Sequence, residues 1–440
     1  MKKLLLFATT LALALGGCSK EYLNPSSISL PQATGSSDGL LTLCNGLQQR
    51  YSTGASLSVP YNATALGGLS TRELTVLNVG NNEEFNVFLG GASVNNSNFV
   101  VRNLWTQCQL VRANADLVLQ NVGNAPDPGT RSGIVAYASI FRALSLGTLA
   151  QFFEKAPIVT QENAPFVDRV AVLQSAVTQL EAAATQLAAT PVSAEFTAKI
   201  APGIDLPNTI QALIARYSLF AGDYDKALAA AARVDLSKRS VFNYDDLTRN
   251  PLFEYAFGNK NVFEPTNASL GLTGALAPEA GDRRLPFYVR TNPSATQNLG
   301  TGFFTANSAP IPVYVPGEML LIRAEAYARK GDLANAVIEL NKVRTSTAPA
   351  TLNSAGLPTA PPGAGLAPYA GLLTAADILT DILRNRHIEL AYQGFRLEDS
   401  RRFGRPGPGP LATNERNRNF YPYPRVEREN NSQTPPDPLQ

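Results

Sequence analysis

Two stretches of the chain carry the same helix, Gly-Asp, helix pattern, and that pattern restricts the possible folds more than any other feature. Setting Leu213 on Ile322 aligns Gly222 with Gly331, Asp223 with Asp332 and Ala227 with Ala336. A glycine can take the left-handed position that ends one helix, and the aspartate after it can accept the exposed amides of the next. Small alanines on the facing sides let the two helices approach closely. The spacing predicts two helical hairpins of tetratricopeptide type. The copies lie 331 − 222 = 109 residues apart, far from a tandem repeat of about 34, so the chain reads as a helical scaffold with large insertions.

Three further windows show helical periodicity. Val101, Leu104, Trp105, Cys108, Val111, Ala115, Val118 and Leu119 recur at 3-4 spacing within 99–122. Ile134, Tyr137, Phe141, Leu144, Thr148 and Phe152 do the same, as do Val170, Leu173, Val177, Leu180, Ala184 and Leu187. Each predicts an amphipathic helix with one face to bury, and at that spacing Trp105 belongs to a core. The later hairpin, Glu318 to Arg344, resumes at Thr374, where Thr374-Ala375-Ala376-Asp377 has the form of a capping box. The Pro-, Gly- and Ala-rich stretch 346–373 between them is long enough to point to function or disorder. Residues 241–316 lack sustained helical period and carry Pro251, Pro265, Pro278, Pro286, Pro293, Pro310, Pro312 and Pro316, so irregular structure with short strands is expected. The stretch 78–103 holds eight asparagines. Asparagine competes with regular backbone pairing, and loops are expected there too.

The N-terminus reads as a processing segment. Lys2 and Lys3 precede an apolar run from Leu4 to Leu15, and Leu15-Gly16-Gly17-Cys18 follows. A dozen residues reach only about 18 Å against a hydrocarbon core of about 30 Å, so the run is a signal and not a span. The tetrapeptide resembles the bacterial lipobox, which predicts removal of residues 1–17 and acyl attachment at Cys18; no low-complexity linker divides the rest, so a single mature domain over 18–440 is expected. Stable anchoring needs two or more acyl chains. Past Cys18 no apolar stretch of span length is expected.

Composition then excludes several function classes. Removing Lys2 and Lys3 leaves 37 − 2 = 35 basic against 35 acidic residues, without the basic excess of a nucleic-acid binder. The one histidine, His387, lies beside Arg384 and Arg386 and reads as a solvated helix residue; with no CxxC or HExxH, no metal site and no cofactor are expected. No GxxxxGK[ST] or GxGxxG occurs, and catalysis has no specific support. Glu83-Glu84 and Asp245-Asp246 are adjacent carboxylates rather than a pair set across a sugar, and read as solvated charge. A bridge between Cys44 and Cys108 is open in an exported chain.

The C-terminal third brings a family into view. Glu318-Met319-Leu320-Leu321-Ile322-Arg323-Ala324-Glu325-Ala326 with Leu340-Asn341-Lys342-Val343-Arg344 is similar to the SusD/RagB signature around its last helical pair. The run from Arg384 to Arg402, through Glu389-Leu390-Ala391-Tyr392-Gln393-Gly394-Phe395-Arg396 and Asp399, resembles the family's arginine-rich helix and the motif after it. Phe420-Tyr421-Pro422-Tyr423-Pro424 resembles its closing Pro-rich strand, Asn103 to Asn114 its first helix, and Phe141 to Phe153 its second. The chain departs from the pattern at Gln393, Leu397 and Glu398. Ser19-Lys20-Glu21 loosely resembles the export tag of surface lipoproteins.

The resemblance implies a mainly α, SusD-like fold of tetratricopeptide-type hairpins with a large loop-rich face. It implies an outer-membrane lipoprotein, not an enzyme, that rests on a SusC-like TonB-dependent transporter and captures oligosaccharides, or sometimes peptides, for import. A helical-repeat adaptor binding a peptide or protein in the envelope is the alternative. Arg396 and Asp399, one turn apart, are expected to be structural. A sugar site wants exposed aromatics for the ring faces and Asn, Arg or Asp for the hydroxyls. No family motif marks such a site here, but two regions supply the mixture: Asn82, Phe85 and Asn86 in one, Tyr288, Arg290, Phe303 and Phe304, beside Phe287, in the other.

Overall fold

The structure, a computed structural model, describes residues 29–258, 262–291, 299–300 and 302–439. The signal segment and Cys18 lie outside them. Helices α1 (Leu30–Thr34), α2 (Ser37–Ser52) and α3 (Val59–Leu69) come first, then strand β1 (Leu74–Val76) and helix α4 (Asn82–Leu89). The long helices α5 (Phe99–Asn121) and α6 (Pro128–Phe152) follow, then strands β2 (Lys155–Pro157) and β3 (Phe166–Asp168). Next are α7 (Arg169–Ala189), α8 (Ala194–Lys199), α9 (Leu206–Ala221) and α10 (Tyr224–Ala231). The irregular stretch holds β4 (Ser240–Phe242), a π-helical turn at Phe253–Phe257, β5 (Phe263–Pro265), helix α11 (Leu285–Tyr288), β6 (Arg290–Thr291), β7 (Leu299–Gly300) and β8 (Ile311–Tyr314). Helices α12 (Pro316–Arg329) and α13 (Leu333–Arg344), strands β9 (Thr351–Leu352) and β10 (Pro358–Ala360), and helices α14 (Ala375–Glu389), α15 (Arg396–Arg402) and α16 (Arg425–Asn430) complete the chain.

The helices stack in sequence: α6 on α5, α7 on α6, α9 on α7, α10 on α9, α12 on α10, then α13 and α14 on α12. Among the described residues the strands form two-stranded antiparallel pairs, β1 with β5, β2 with β3, β4 with β8, β6 with β7 and β9 with β10. The fold is mainly α, as the periodic windows predict. Helix α6 is long and apolar enough to cross a membrane, which corrects the expectation that no later segment is. Yet 94% of its most apolar window is buried by its neighbours, so it serves as the central core helix.

The two Gly-Asp turns take the predicted form. Gly222 has φ +84° and Gly331 φ +83°. The amide of Asp223 donates to Ser218 O at 2.9 Å and that of Asp332 to Tyr327 O at 3.0 Å, the longer bond of a Schellman motif. Each aspartate then caps the next helix: Asp223 Oδ1 accepts from Lys226 N at 3.1 Å and Asp332 Oδ1 from Asn335 N at 3.2 Å. Thr374 likewise accepts from Asp377 N at 3.2 Å, but Asp377 takes the threonine hydroxyl proton instead of closing the box on the backbone.

Three expectations change. Residues 82–89 are helical rather than loop, because Glu83 and Glu84 sit in the first turn, where the helix dipole favours negative charge, and Asn98 caps α5 by accepting from Val100 N and Val101 N. The stretch 346–373 lies along α13, with Gly363 N donating to Ala348 O, Gly365 N to Ser346 O and Tyr369 N to Asn341 Oδ1. Cys44 and Cys108 are separate buried thiols; burial pushes both pKa values up and leaves them unreactive. Trp105 is core, as expected, packed between Phe153, Phe166 and Tyr423 with Nε1 donating to Glu427 at 3.0 Å.

A charged network closes the C-terminal half. Arg386 grips Asp399 through two bonds of 2.9 and 3.0 Å, and Arg402 joins Asp399 at 2.7 Å to Glu325 at 2.5 and 3.1 Å. Arg329 reaches Glu325 at 2.8 Å. Burial works to raise Glu325 and Asp399, but the surrounding guanidiniums hold both carboxyls below the usual range. Asp399 thus pairs with Arg386 and Arg402, while Arg396 donates to Leu270 O.

His387 sits against this cluster and is buried, not solvated. Neither ring nitrogen has a hydrogen-bond partner among the described residues. Burial, then Arg396, Arg386 and Arg405, hold its pKa well below the ordinary value. The arginines beside it in sequence suggested solvent, but Arg386 is itself only 1% exposed.

Replacing Gly222 or Gly331 by valine should destabilise the protein by roughly 1 kcal/mol or more through backbone strain alone, since an added Cβ meets open space at both positions. Equal urea midpoints for the variants and the wild type would contradict this. His387 gives a pH-dependent prediction. The unfolded imidazole takes a proton near pH 6.5 while the folded one resists it, so its contribution is complete above about pH 6.5 and is lost below, at up to roughly 1.4 kcal/mol per pH unit. Because His387 is the one histidine, the stability of wild type minus that of His387→Leu should decline from pH 7 to pH 5.5. A flat difference would mean that the folded ring accepts a proton without penalty.

Candidate ligand-binding surface

Helix α4 is fastened on several sides. Glu83 Oε2 accepts the Phe99 amide at 3.1 Å and the Glu83 carbonyl accepts Asn98 Nδ2 at 3.0 Å, which ties α4 to the start of α5. Glu84 points inward and accepts the Tyr61 hydroxyl at 2.7 Å; burial holds this carboxyl above the usual range. Asn417 Nδ2 donates to Val87 O at 2.9 Å and Phe88 O at 3.0 Å, clasping the far end. With Val87 fully buried beneath, the outward face is presented on a fixed support.

That face carries Asn82, Phe85, Asn86, Phe88 and Leu89. Asn82 is exposed, Phe85, Asn86 and Phe88 are half-buried, and Leu89 is half-exposed. The rings of Phe85 and Phe88 lie 6.5 Å apart at an interplanar angle of 18°; Phe88 also packs against the core, so Phe85 is the outer ring of an apolar ridge edged by amides. Tyr61 extends the neighbourhood, since its ring packs edge-on to half-buried Tyr255 at 5.1 Å. Tyr255 belongs to the π-helical turn, a form that recurs at functional sites. Phe88 and Tyr255 escaped the sequence reading, although the i, i+3 spacing of Phe85 and Phe88 is a helical signal.

The second predicted region divides. β1, which leads toward α4, pairs with β5, and β5 abuts β7, the partner of β6. Arg290 on β6 is exposed and is separated from α4 by these short strands. Tyr288, Phe303 and Phe304 are not surface residues: their exposures are 0%, 0% and 2%. Tyr288 donates its hydroxyl to Glu389 O at 2.6 Å, and its ring lies 5.7 Å from Phe303, which in turn lies 5.0 Å from Phe287. Clustering removes their apolar area from water and gains edge-on ring contacts. These aromatics are core, which corrects their assignment to a binding surface.

The concavities differ in kind. A cavity of about 70 Å³, lined by Tyr51, Thr148, Gln151 and Arg216 among others, has room for a few waters but not a sugar. A groove of about 570 Å³ between α7, α9 and α10 is lined by Glu181, Asp223, Asp225, Lys226 and Arg233, with no aromatic side chain. A third pocket, about 270 Å³, opens where Asn95 and Asn96, just beyond α4, face Arg418 and Phe420. The adjacent carboxylates have local tasks. Asp245 Oδ1 accepts from Thr248 N and Oγ1 and from Leu247 N, which lower its pKa, while Glu83 and Glu84 hold α4. Among the described residues no three His, Cys, Asp or Glu side chains converge as a metal site.

Comparison with known proteins follows this geometry. Residues 242–437 match the model of the SusD family. A SusD superfamily protein from Bacteroides vulgatus ATCC 8482 superposes with a TM-score of 0.67 at 14% identity, over 94% of this chain and 99% of that one. A SusD-like carbohydrate binding protein from the same organism gives 0.64 at 18% identity over 83% of each chain. NanU of B. fragilis gives 0.69 at 13% identity, over 95% of this chain and 100% of that one. No curated protein sequence matches the chain significantly.

The division between core and surface aromatics can be measured. Tyr288→Ala and Phe303→Ala should each lower the unfolding free energy by roughly 3–5 kcal/mol. Urea denaturation checks this, and a loss below about 1 kcal/mol for both would place these rings at the surface after all.

Proposed function

We propose that this chain, which belongs to the SusD/RagB family, captures oligosaccharides on the α4 face and delivers them to a SusC-like TonB-dependent transporter. In this reading residues 1–17 are a lipoprotein signal peptide, Cys18 carries the lipid anchor, residues 18–440 form one domain, and the protein sits on the outer membrane facing the cell exterior. The observation that carries the proposal is the Phe85–Phe88 ridge with Asn82 and Asn86 beside it. Pyranose rings offer flat C–H faces edged by hydroxyls, and a rigid pair of aromatics with neighbouring amides meets both needs. Because α4 is held by Glu83, Glu84 and Asn417, little order has to be gained on binding, which favours affinity. The solved protein from B. vulgatus described as a SusD-like carbohydrate binding protein supports the same class of ligand.

A peptide- or protein-binding adaptor is the second reading, and the charged groove between α7, α9 and α10 favours it. Its salt bridge from Lys226 to Glu181, 2.9 Å, and its lack of aromatics suit a charged peptide better than a sugar. The two readings place ligand on different elements.

Calorimetric titration with a panel of soluble glycans and oligopeptides separates them. Phe85→Ala or Phe88→Ala should weaken the best glycan ligand by about 1 kcal/mol or more, with melting temperature unchanged for Phe85→Ala. Glycan affinity that is indifferent to both substitutions, or binding of peptides alone, would overturn the proposal.

A further inference from the structure

The pocket at the end of α4 contains an uncompensated charge. Arg418 is 2% exposed, and among the described residues no carboxylate lies within ion-pair distance of it. Its hydrogen bonds go to two main-chain carbonyls, Gly91 O at 3.0 Å and Phe420 O at 3.4 Å, and Nε has no partner. The guanidinium carbon lies 4.6 Å over the Tyr421 ring. Arg416, two residues earlier, also has no carboxylate, but each of its three nitrogens donates to an oxygen. Arg418 is left with both charge and donor capacity unused, and burial alone would disfavour that state.

The rest of the pocket is arranged for a polar ring. Asn95 and Asn96 line it together with half-buried Phe420. Their side-chain oxygens accept from Ser97, and among the described residues their amide nitrogens carry no hydrogen bond. The one carboxylate in the lining, Asp437, accepts through Oδ1 from Arg428 at 2.6 Å and from the Tyr423 amide at 3.0 Å. At about 270 Å³ the pocket is at the small end of ligand sites. It adjoins the α4 face directly: Arg418 is bonded to Gly91, and Asn417 before it clasps Val87 and Phe88.

We propose that this pocket is an anion subsite of the glycan surface, in which Arg418 receives the carboxylate of a uronic or other acidic sugar while Asn95 and Asn96 meet its hydroxyls. The planar guanidinium suits a planar carboxylate, and the bound anion supplies the missing counter-charge. The inference rests on the glycan-binding reading above and narrows it to acidic glycans. A chain bound along Phe85 and Phe88 would place one acidic residue in the pocket.

The test titrates the purified full-length protein with tetragalacturonate, a guluronate tetramer and a chondroitin sulfate tetrasaccharide, and in parallel with maltotetraose, xylotetraose and tetraglutamate. At least one acidic glycan should bind, and Arg418→Gln should weaken it by roughly tenfold or more, the equivalent of one charged hydrogen bond. Arg418→Gln should leave any neutral glycan unaffected and melt within about 2 °C of wild type, because no ion pair is broken. Acidic glycans bound equally by wild type and Arg418→Gln, or neutral glycans alone, would overturn the subsite and leave the glycan-binding reading standing. A variant that melts far below wild type would make Arg418 structural and overturn it too. Arg418-dependent binding of tetraglutamate in place of any glycan would give the pocket to acidic peptides, and no binding of either glycan class would overturn the glycan reading itself.

Discussion

The ion pairs of Glu325, Asp399, Arg386 and Arg402 hold together the half of the molecule that the candidate site depends on. They join α12 to α14 and α15 at the point where the helical stack ends. From α15 the chain turns back toward α4, fixed by Arg401 to Asn419 O at 2.5 Å and to Gln151 O at 3.0 Å, and by Arg405 to Glu415 at 2.6 Å. That return segment delivers Asn417 to α4 and Arg418 to the neighbouring pocket. Loss of one partner would strand a buried charge at a cost of about 3–5 kcal/mol. The damage should extend to the α4 clasp, far from the ion pairs themselves.

Such a network is a costly way to gain stability, since well-packed apolar groups often do as well. Its directionality is what apolar packing lacks. Each carboxylate has bonds from named guanidinium nitrogens, so α14 and α15 meet α12 in one register. A surface that recognises ligand by ring faces and amides needs that precision, because a shift of about 1 Å spoils both kinds of contact.

Local signals were legible in the sequence and tertiary ones were not. The Gly222 and Gly331 turns follow from residues adjacent in the chain, and α5, α6 and α7 from periodicity over many turns. Helix α4 was hidden because its asparagine-rich setting resembles a loop, and what secures it comes from Tyr61 and from Asn417, 330 residues beyond Val87. Phe85 and Phe303 sit in similar irregular sequence, yet one is half-buried on a ridge and the other fully packed against Phe287 and Tyr288. Only the assembled fold separates them. His387 was misread for the same reason: a histidine between arginines looks solvated until Arg386 is found turned inward onto Asp399. Arg418 gave no signal as one of several arginines in a polar stretch, and it becomes informative only when its lack of a carboxylate can be seen.

The proposed site is thus a helix face supported from behind, with an arginine at its foot. Hydroxyl-radical footprinting of the aromatic side chains, with and without a glycan found to bind, tests that arrangement most directly. Protection of Phe85 and Phe88, with the residues of the α7–α9–α10 groove unchanged, is the predicted result. Protection confined to the groove, with Phe85 and Phe88 labelled as strongly as in the free protein, would contradict a binding face on α4.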